Sequence, residues 1–367
     1  MKKIEFVDLS LKFKKHLPAF RECLERVLDS GSYILGNEVK GLEAAIKKYT
    51  GAQYAVAVAN GTDALYLSLK AAKIGAGDEV ITTPMSYLAT TSSIALSGAT
   101  AVFVDVDSSL NLNPSAVEAA INERTRAISV VHLSGIPADI LTLKKLADKY
   151  QLTLIEDCAQ SFGATISGKH TGTFGRFGAV SFHPLKNFGT IGDGGIILVE
   201  RKEDYEWLLK ARNHGHISRD ECEFWSLNSR LDELHAAFLT AMLPSYAKEL
   251  LRRRSLAEIY LLELKDCCRF PKQYKSSSAS YTWCMVLVDF RDELMEYLKS
   301  KGIDLKIHYP QLISDLQASD SQTKYSGTLS NAKKFVNQIL SLPVGDHIQS
   351  SDVRMISGYI REFYSRC

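Results

Sequence analysis

Tyr54-Ala55-Val56-Ala57-Val58-Ala59-Asn60-Gly61-Thr62-Asp63-Ala64-Leu65 runs from a short apolar, β-branched segment into a polar turn, and from there into an apolar spacing that is helical through Ala72. The same strand-then-helix unit recurs along the chain. Further strands are expected at 79–83, 101–104, 127–131, 152–155, 179–182 and 196–199, with helices at 62–72, 88–96, 114–121 and 141–150. Alternation of this kind predicts an α/β fold whose large domain is a mostly parallel, seven-stranded sheet flanked by helices.

After Gly215 the alternation stops. A long helical pattern from about residue 230 sets Leu231, Leu234, Ala237, Phe238, Ala241 and Met242 on one face and is expected to bridge two domains. A strand at 281–288, a helix at 291–300 and a segment at 305–309 suggest a smaller C-terminal α+β domain, with a loop at 276–278. The expected division is 1–250 for the large domain, with its N-terminal segment, and 251–367 for the small one, the two sharing one cleft.

Composition narrows the function classes. With 367 residues, 46% apolar and 23% charged, the chain is globular and long enough for a substantial core. Lys plus Arg at 44 nearly balance Asp plus Glu at 42, so no broad field recommends nucleic acid or a membrane surface as partner. No run of 18 apolar residues occurs, and the basic start lacks the apolar core of a secretion signal, so a cytoplasmic protein is expected. Seven cysteines without a C-x-x-C pair fit reduced thiols, not a disulfide framework or a zinc site, and no metal is expected.

Three places carry potential chemistry. Asn60-Gly61-Thr62-Asp63 opens a helix whose first N–H groups suit a phosphate, although the same residues make an ordinary cap. Glu156-Asp157-Cys158-Ala159-Gln160 ends a strand, placing Asp157 where open α/β sheets hold ligands; capping the next turn is the plainer role. Ser181-Phe182-His183-Pro184-Leu185-Lys186-Asn187 follows another strand, and its apolar flanks would lower the Lys186 amine pKa and favour imine chemistry over a solvated loop lysine. The glycines of 189–195 neither follow the first strand nor open a crossover helix, which sets the dinucleotide fingerprint aside.

Gly-Thr-Asp-Ala-Leu at 61–65, the segment Pro84 to Ala89, Glu-Asp-x-Ala-Gln, Ser-Phe-x-Pro-x-Lys-Asn and Gly-Asp-Gly-Gly stand in one order. With Phe6-Val7-Asp8-Leu9 and Ser30-Gly31-Ser32-Tyr33-Ile34-Leu35-Gly36 ahead of them, they resemble the DegT/DnrJ/EryC1/StrS sugar aminotransferases of fold-type I. The likeness runs through 228–237 and is loose only in the C-terminal third. It implies pyridoxal 5'-phosphate as cofactor, with pyridoxamine 5'-phosphate as its intermediate form, and Lys186 as Schiff-base lysine and proton carrier. Asp157 would pair with the pyridinium nitrogen, Gln160 lie near the 3-hydroxyl, and Ala159 and Tyr87 take the two ring faces. Gly61, Thr62, Ser181 and a neighbouring subunit's residue matching Asn228 would hold the phosphate, which makes a homodimer functional.

On the substrate side the resemblance points to Arg230 for a carboxylate or phosphate, to His183 lining the site, and more weakly to Tyr33 and His308. Arg230 also fits a salt bridge with Asp232 or Glu233, His183 a structural histidine, Tyr87 a core aromatic, and Ser181 a strand-end hydroxyl. Two segments depart from the family pattern: His132-Leu133-Ser134-Gly135-Ile136-Pro137, and Gln311-Leu312-Ile313-Ser314 after His308-Tyr309-Pro310. The implied reaction moves an amino group from L-glutamate to a keto-deoxysugar, most often nucleotide-linked, for surface polysaccharides or glycosylated metabolites. The alternatives are an 8-keto ulosonate acceptor, a pyridoxamine-dependent sugar dehydratase, whose known examples replace the lysine by histidine, and a non-catalytic regulatory relative.

Overall fold

The computed structural model describes residues 3–366 and gathers the seven expected strands into one sheet. They are β1 (Tyr54–Val58), β2 (Glu79–Thr82), β3 (Thr100–Phe103), β4 (Thr125–Val131), β5 (Thr153–Asp157), β6 (Phe177–Ser181) and β7 (Gly195–Val199). Their spatial order is β1-β7-β6-β5-β4-β2-β3, with β7 antiparallel to both its neighbours and the other pairs parallel. The C-terminal part adds β8 (Cys284–Leu287), β9 (Thr323–Tyr325) and β10 (Ile339–Leu342). Strands β8 and β10 pair antiparallel in a sheet of their own, whereas β9 joins the large sheet parallel to β3.

The large sheet therefore has eight strands, not seven. Thr323-Lys324-Tyr325 has no apolar run to announce it, and pairing with β3 is what makes it extended. Two further boundaries shift. The expected strand at 281–288 shrinks to β8 because Tyr281 sits at φ 46°, outside β space. The segment at 305–309 stays irregular, joined to β10 through a single Lys306–Ser341 bridge.

Twelve helices among the described residues cover the sheets: α1 (Leu9–Lys14), α2 (Leu17–Ser30), α3 (Asn37–Thr50), α4 (Gly61–Ala71), α5 (Leu88–Ser97), α6 (Pro114–Ala120), α7 (Ile140–Lys149), α8 (Lys202–Ala211), α9 (Glu233–Leu264), α10 (Arg291–Ser300), α11 (Ser330–Phe335) and α12 (Ser350–Tyr364). Leu65, Leu67 and Leu69 of α4 pack on Val56, Val58, Ile155 and Ile197 of the sheet. Another cluster joins Ile81, Val102 and Ile128 to Val117 of α6 and Leu143 of α7. Each such buried aliphatic side chain contributes about 1.5–3 kcal/mol. That fixes the sheet as a rigid platform whose strand ends carry the site.

Helix α9 runs 32 residues, about 48 Å. Its Ala236–Leu250 part packs with Phe20, Leu42 and Ile46 of α2 and α3, and Leu256, Tyr260 and Leu264 pack with Val286, Leu340 and Ile356 of the C-terminal unit. One helix thus spans both cores, and residue 250 lies inside it. It starts at Glu233, a turn after the expected onset, because Asp232 is extended and pairs with Ile34.

The N-terminal segment crosses to the C-terminal unit before entering α1: Ile4 pairs with Ile303, and Phe6 packs in the cluster of Trp283, Met285 and Leu312. Cys23, Cys158, Cys222, Cys267, Cys268 and Cys284 are free thiols, and Cys367 lies outside the described residues. Among the described residues no helix is long and apolar enough to cross a membrane.

Candidate active site

The carboxyl ends of β1, β5 and β6 bring together the three motifs that are far apart in the chain. After β1, Asn60 caps α4 by accepting the Asp63 N–H at 2.8 Å. The two amides ahead of it, Gly61 and Thr62, have no acceptor within a helix that has only begun. Ser181 at the end of β6 stands directly against them: a Cβ on Gly61 would lie 2.7 Å from the Ser181 Cβ and 3.2 Å from its Oγ. Glycine is what permits this approach of a helix N-terminus to a hydroxyl. Two outward amides, a hydroxyl and the helix dipole make a cradle for an anion.

Asp157 ends β5 and is buried. Its Oδ2 accepts the Thr90 hydroxyl at 2.8 Å, Thr90 meets Ser86 at 2.8 Å, and its Oδ1 accepts the Ala159 N–H at 3.1 Å. The preceding Glu156 faces the other way, as alternation along a strand requires. It accepts the Gly172, Phe174 and Gly175 N–H groups at 2.8 Å each and meets His132 Nε2 at 3.0 Å. Those bonds, with His132 foremost among them, hold its proton affinity below the usual carboxylate range against the opposing cost of burial. With His132 Nδ1 accepting the Ala138 N–H at 3.0 Å, this buried pair is fully engaged in joining β4, β5 and the loop before β6. Adjacent carboxylates thus divide the labour: Glu156 builds the sheet and Asp157 faces the site.

Lys186 lies in the loop after β6, where its N–H donates to the His183 carbonyl at 2.9 Å. Burial lowers its amine pKa from the ordinary lysine value, and the Asp157 carboxylate opposes that shift. The amine makes no hydrogen bond among the described residues. His183 is half-buried, and its Nδ1 accepts the Leu185 N–H at 3.2 Å, so the ring ties down the lysine's own loop. Burial, against the attraction of Asp193, moves its pKa downward.

Gln160 is buried with its carboxamide spoken for: Oε1 accepts the Ser134 N–H at 2.6 Å and Nε2 donates to the Tyr309 hydroxyl at 3.3 Å. The Ser134 hydroxyl in turn donates to the Trp283 carbonyl at 2.6 Å, so the departing segment 132–137 is a seam between the large sheet and the C-terminal unit. Tyr87, at the start of α5, is 53% exposed, which removes the plain core-aromatic reading; its ring lies 5.9 Å from that of Tyr309. His308 stacks on Trp283 at 3.9 Å and meets Ser341 Oγ through Nδ1 at 2.9 Å. Burial, and then the charges of Lys186 and Lys306, push it down to about 4. A cavity of about 340 Å³ lies on the C-terminal side of Lys186, lined also by His308, Trp283, Lys12, Arg253 and Asp346.

Asn228 and Tyr33 are exposed, and the Asn228 side chain makes no hydrogen bond among the described residues. Its neighbour Ser229 anchors the segment by donating to Asp63 Oδ2 at 2.6 Å. Arg230 donates to Asn213 Oδ1 at 3.1 Å and pairs with neither Asp232 nor Glu233. Glu233 is occupied with the Gly36, Glu38 and Val39 amides at the start of α3.

Sequence reasoning missed Thr90, Tyr309 and Trp283. Thr90 had a legible signal, since it lies one helical turn beyond Tyr87, immediately past the quoted 84–89 segment. Tyr309 lay inside the quoted His308-Tyr309-Pro310 segment but was given no role there, and Trp283 had no signal, being brought to the site only by docking of the C-terminal unit.

The chain also resembles known proteins along nearly its whole length. A family profile described as the DegT/DnrJ/EryC1/StrS aminotransferase family matches residues 17–361. A Streptomyces venezuelae protein named dTDP-3-amino-3,4,6-trideoxy-alpha-D-glucose transaminase is 36% identical over 367 residues, 99% of this chain and 97% of that one. A Geobacillus stearothermophilus protein named Pleiotropic regulatory protein is 37% identical over 367 residues, 98% of each. Among solved structures, S. venezuelae DesV in complex with a ketimine intermediate matches with a TM-score of 0.96 at 36% identity, covering 100% of both chains.

Proposed function

Because the chain belongs to the DegT/DnrJ/EryC1/StrS aminotransferase family, we propose that it carries an amino group from L-glutamate to a nucleotide-linked keto-deoxysugar, with pyridoxal phosphate as carrier. The observation that supports this most directly is the convergence of one amine whose pKa is lowered by burial, one hydrogen-bonded carboxylate and one anion cradle at the carboxyl ends of β6, β5 and β1.

The residues fit that cofactor. A monoester phosphate matches the Gly61 and Thr62 amides with the Ser181 hydroxyl, and the uncommitted Lys186 amine matches an aldehyde carbon. When bound, pyridoxal phosphate supplies that aldehyde and an electron-withdrawing ring. Lys186, its pKa lowered by burial, presents a larger fraction of free amine near neutral pH than an exposed lysine and holds or delivers a proton at Nζ. Asp157, oriented by Thr90 and Ala159, presents its carboxylate to the ring nitrogen. Ala159 and Tyr87 would take the ring's two faces, and Gln160 would lie near its hydroxyl.

On the substrate side Arg230, with no acidic partner among the described residues, offers a bidentate fork to the donor's carboxylate or a sugar phosphate. His183, His308 and Tyr33 line the approach. The exposed Asn228 completes the phosphate site of a neighbouring subunit in a homodimer, and the enzyme acts in the cytoplasm.

The test is the visible spectrum of the purified protein loaded with pyridoxal phosphate, before and after glutamate is added without any sugar. We expect a band near that of a protein-bound imine, its conversion by glutamate to the amino form, and loss of both in Lys186→Ala. If wild-type protein shows no such band, the non-catalytic reading suggested by the name of the Geobacillus relative replaces this one. A band indifferent to glutamate instead overturns the donor.

A further inference from the structure

Lys12 is a buried lysine that the reading above does not use. It stands in α1, only 6% exposed, and its Nζ donates to the Pro184 carbonyl at 2.9 Å and to the Lys186 carbonyl at 2.5 Å. Among the described residues no other group donates to either oxygen. The contact spans 172 and 174 positions of chain. Nothing local to the 183–187 loop replaces it.

The rest of that loop is already constrained from the large-sheet side. Lys186 N–H closes a turn on the His183 carbonyl, and Asn187 Nδ2 donates to the Phe162 carbonyl and the Tyr246 hydroxyl, both at 2.9 Å. Lys12 supplies the constraint from the opposite side. Its own segment is fastened to the C-terminal unit: Ile4 pairs with Ile303, His347 Nε2 meets the Glu5 carbonyl at 2.7 Å, and Lys15 pairs with Asp346 there as well as with Glu249 of α9. The N-terminal segment is therefore a strap between the small unit and the lysine's main chain.

We propose that Lys12 is a positioning residue for Lys186: its buried amine, donating to the Pro184 and Lys186 carbonyls, sets the main-chain position from which the Lys186 side chain reaches the reacting carbon. The inference rests on the aminotransferase reading for its effect on catalysis, but the geometry it asserts does not need the cofactor. Burial, with Arg253 adding repulsion, pulls the Lys12 pKa to about 7, while Asp346 and Glu249 oppose the shift. Both protonation states serve, because a neutral amine still has two N–H bonds for two oxygens.

Lys12→Met keeps the stem and removes the donors. Three readouts are compared with wild type: the melting curve, the glutamate half-reaction of the loaded protein, and reductive methylation of Lys186 by formaldehyde and cyanoborohydride without cofactor, followed by peptide mass spectrometry. A cooperative melt is expected, with the maximal half-reaction rate down at least tenfold, the glutamate KM within threefold, and Lys186 methylation at least threefold faster. Lys12→Arg, which restores donors, should return the rate to within threefold of wild type. Half-reaction and methylation rates within twofold of wild type in the folded Met variant overturn the proposal. Should that variant not fold, Lys12→Gln, whose shorter stem cannot reach both oxygens, is judged by the same limits. A wild-type protein inert to glutamate counts against the proposed function, and methylation alone then decides this inference.

Discussion

Thr90 and Asp157 stand 67 positions apart and share a 2.8 Å hydrogen bond whose acceptor is the carboxylate assigned to the cofactor ring. A bond to a charged group contributes about 1.5–3 kcal/mol, so Thr90→Val, which keeps the shape and removes the hydroxyl, should weaken pyridoxal phosphate binding roughly tenfold or more. Fluorescence titration of the cofactor-free protein checks it; an unchanged Kd would show that Ala159 N–H alone orients the acid. The same residue scale separates Glu156 from its neighbour. Both were visible as a Glu-Asp pair at a strand end, but only the three amides and His132 around Glu156 reveal which of the two is structural.

At the scale of elements, the start of α4 is the part most readily tested. Its cradle depends on Gly61 because any side chain there would meet Ser181 at 2.7 Å. Gly61→Ala should cut cofactor affinity at least tenfold and also lower the cofactor-free melting temperature, because the Ser181 Cβ cannot yield without moving the end of β6. A large fall in stability with affinity intact would instead mean that the approach is a packing requirement alone. The elements themselves were mostly readable. Apolar alternation and helical spacing are local properties, so the seven expected sheet strands and the four expected helices between 54 and 199 were found to within a few residues, whereas the short strand pair Thr165–Ile166 and Lys169–His170 was not expected. Strand β9 and the extended Asp232 were not, because partners distant in the chain set their conformation.

For the whole molecule, the exposed apolar side chains point to a second copy of the chain. Trp225 is 95% exposed, and Ile217, Leu227, Ile34 and Tyr33 are also open to solvent in one protomer. Leaving so many large apolar groups in water is unfavourable, and the proposed phosphate site would take Asn228 from a neighbour. Sedimentation should therefore give a species of twice 40.7 kDa, and Trp225→Asp should shift it toward monomer with parallel loss of activity. A fully active monomer would remove Asn228 from the phosphate site. By itself the sequence determined the α/β class and the order of the strands' motifs, and it singled out Lys186, Asp157, Gly61 and Ser181 as the residues to propose for the site, because strand period, turn chemistry and spaced motifs are written within short windows. Tertiary structure alone decided that Thr90 orients Asp157, that Tyr309 and Trp283 close the cleft, and that Lys12 holds the loop of Lys186. Those contacts join segments separated by tens to hundreds of residues, and only the packing of the two units on α9 and the N-terminal strap brings them within bonding distance.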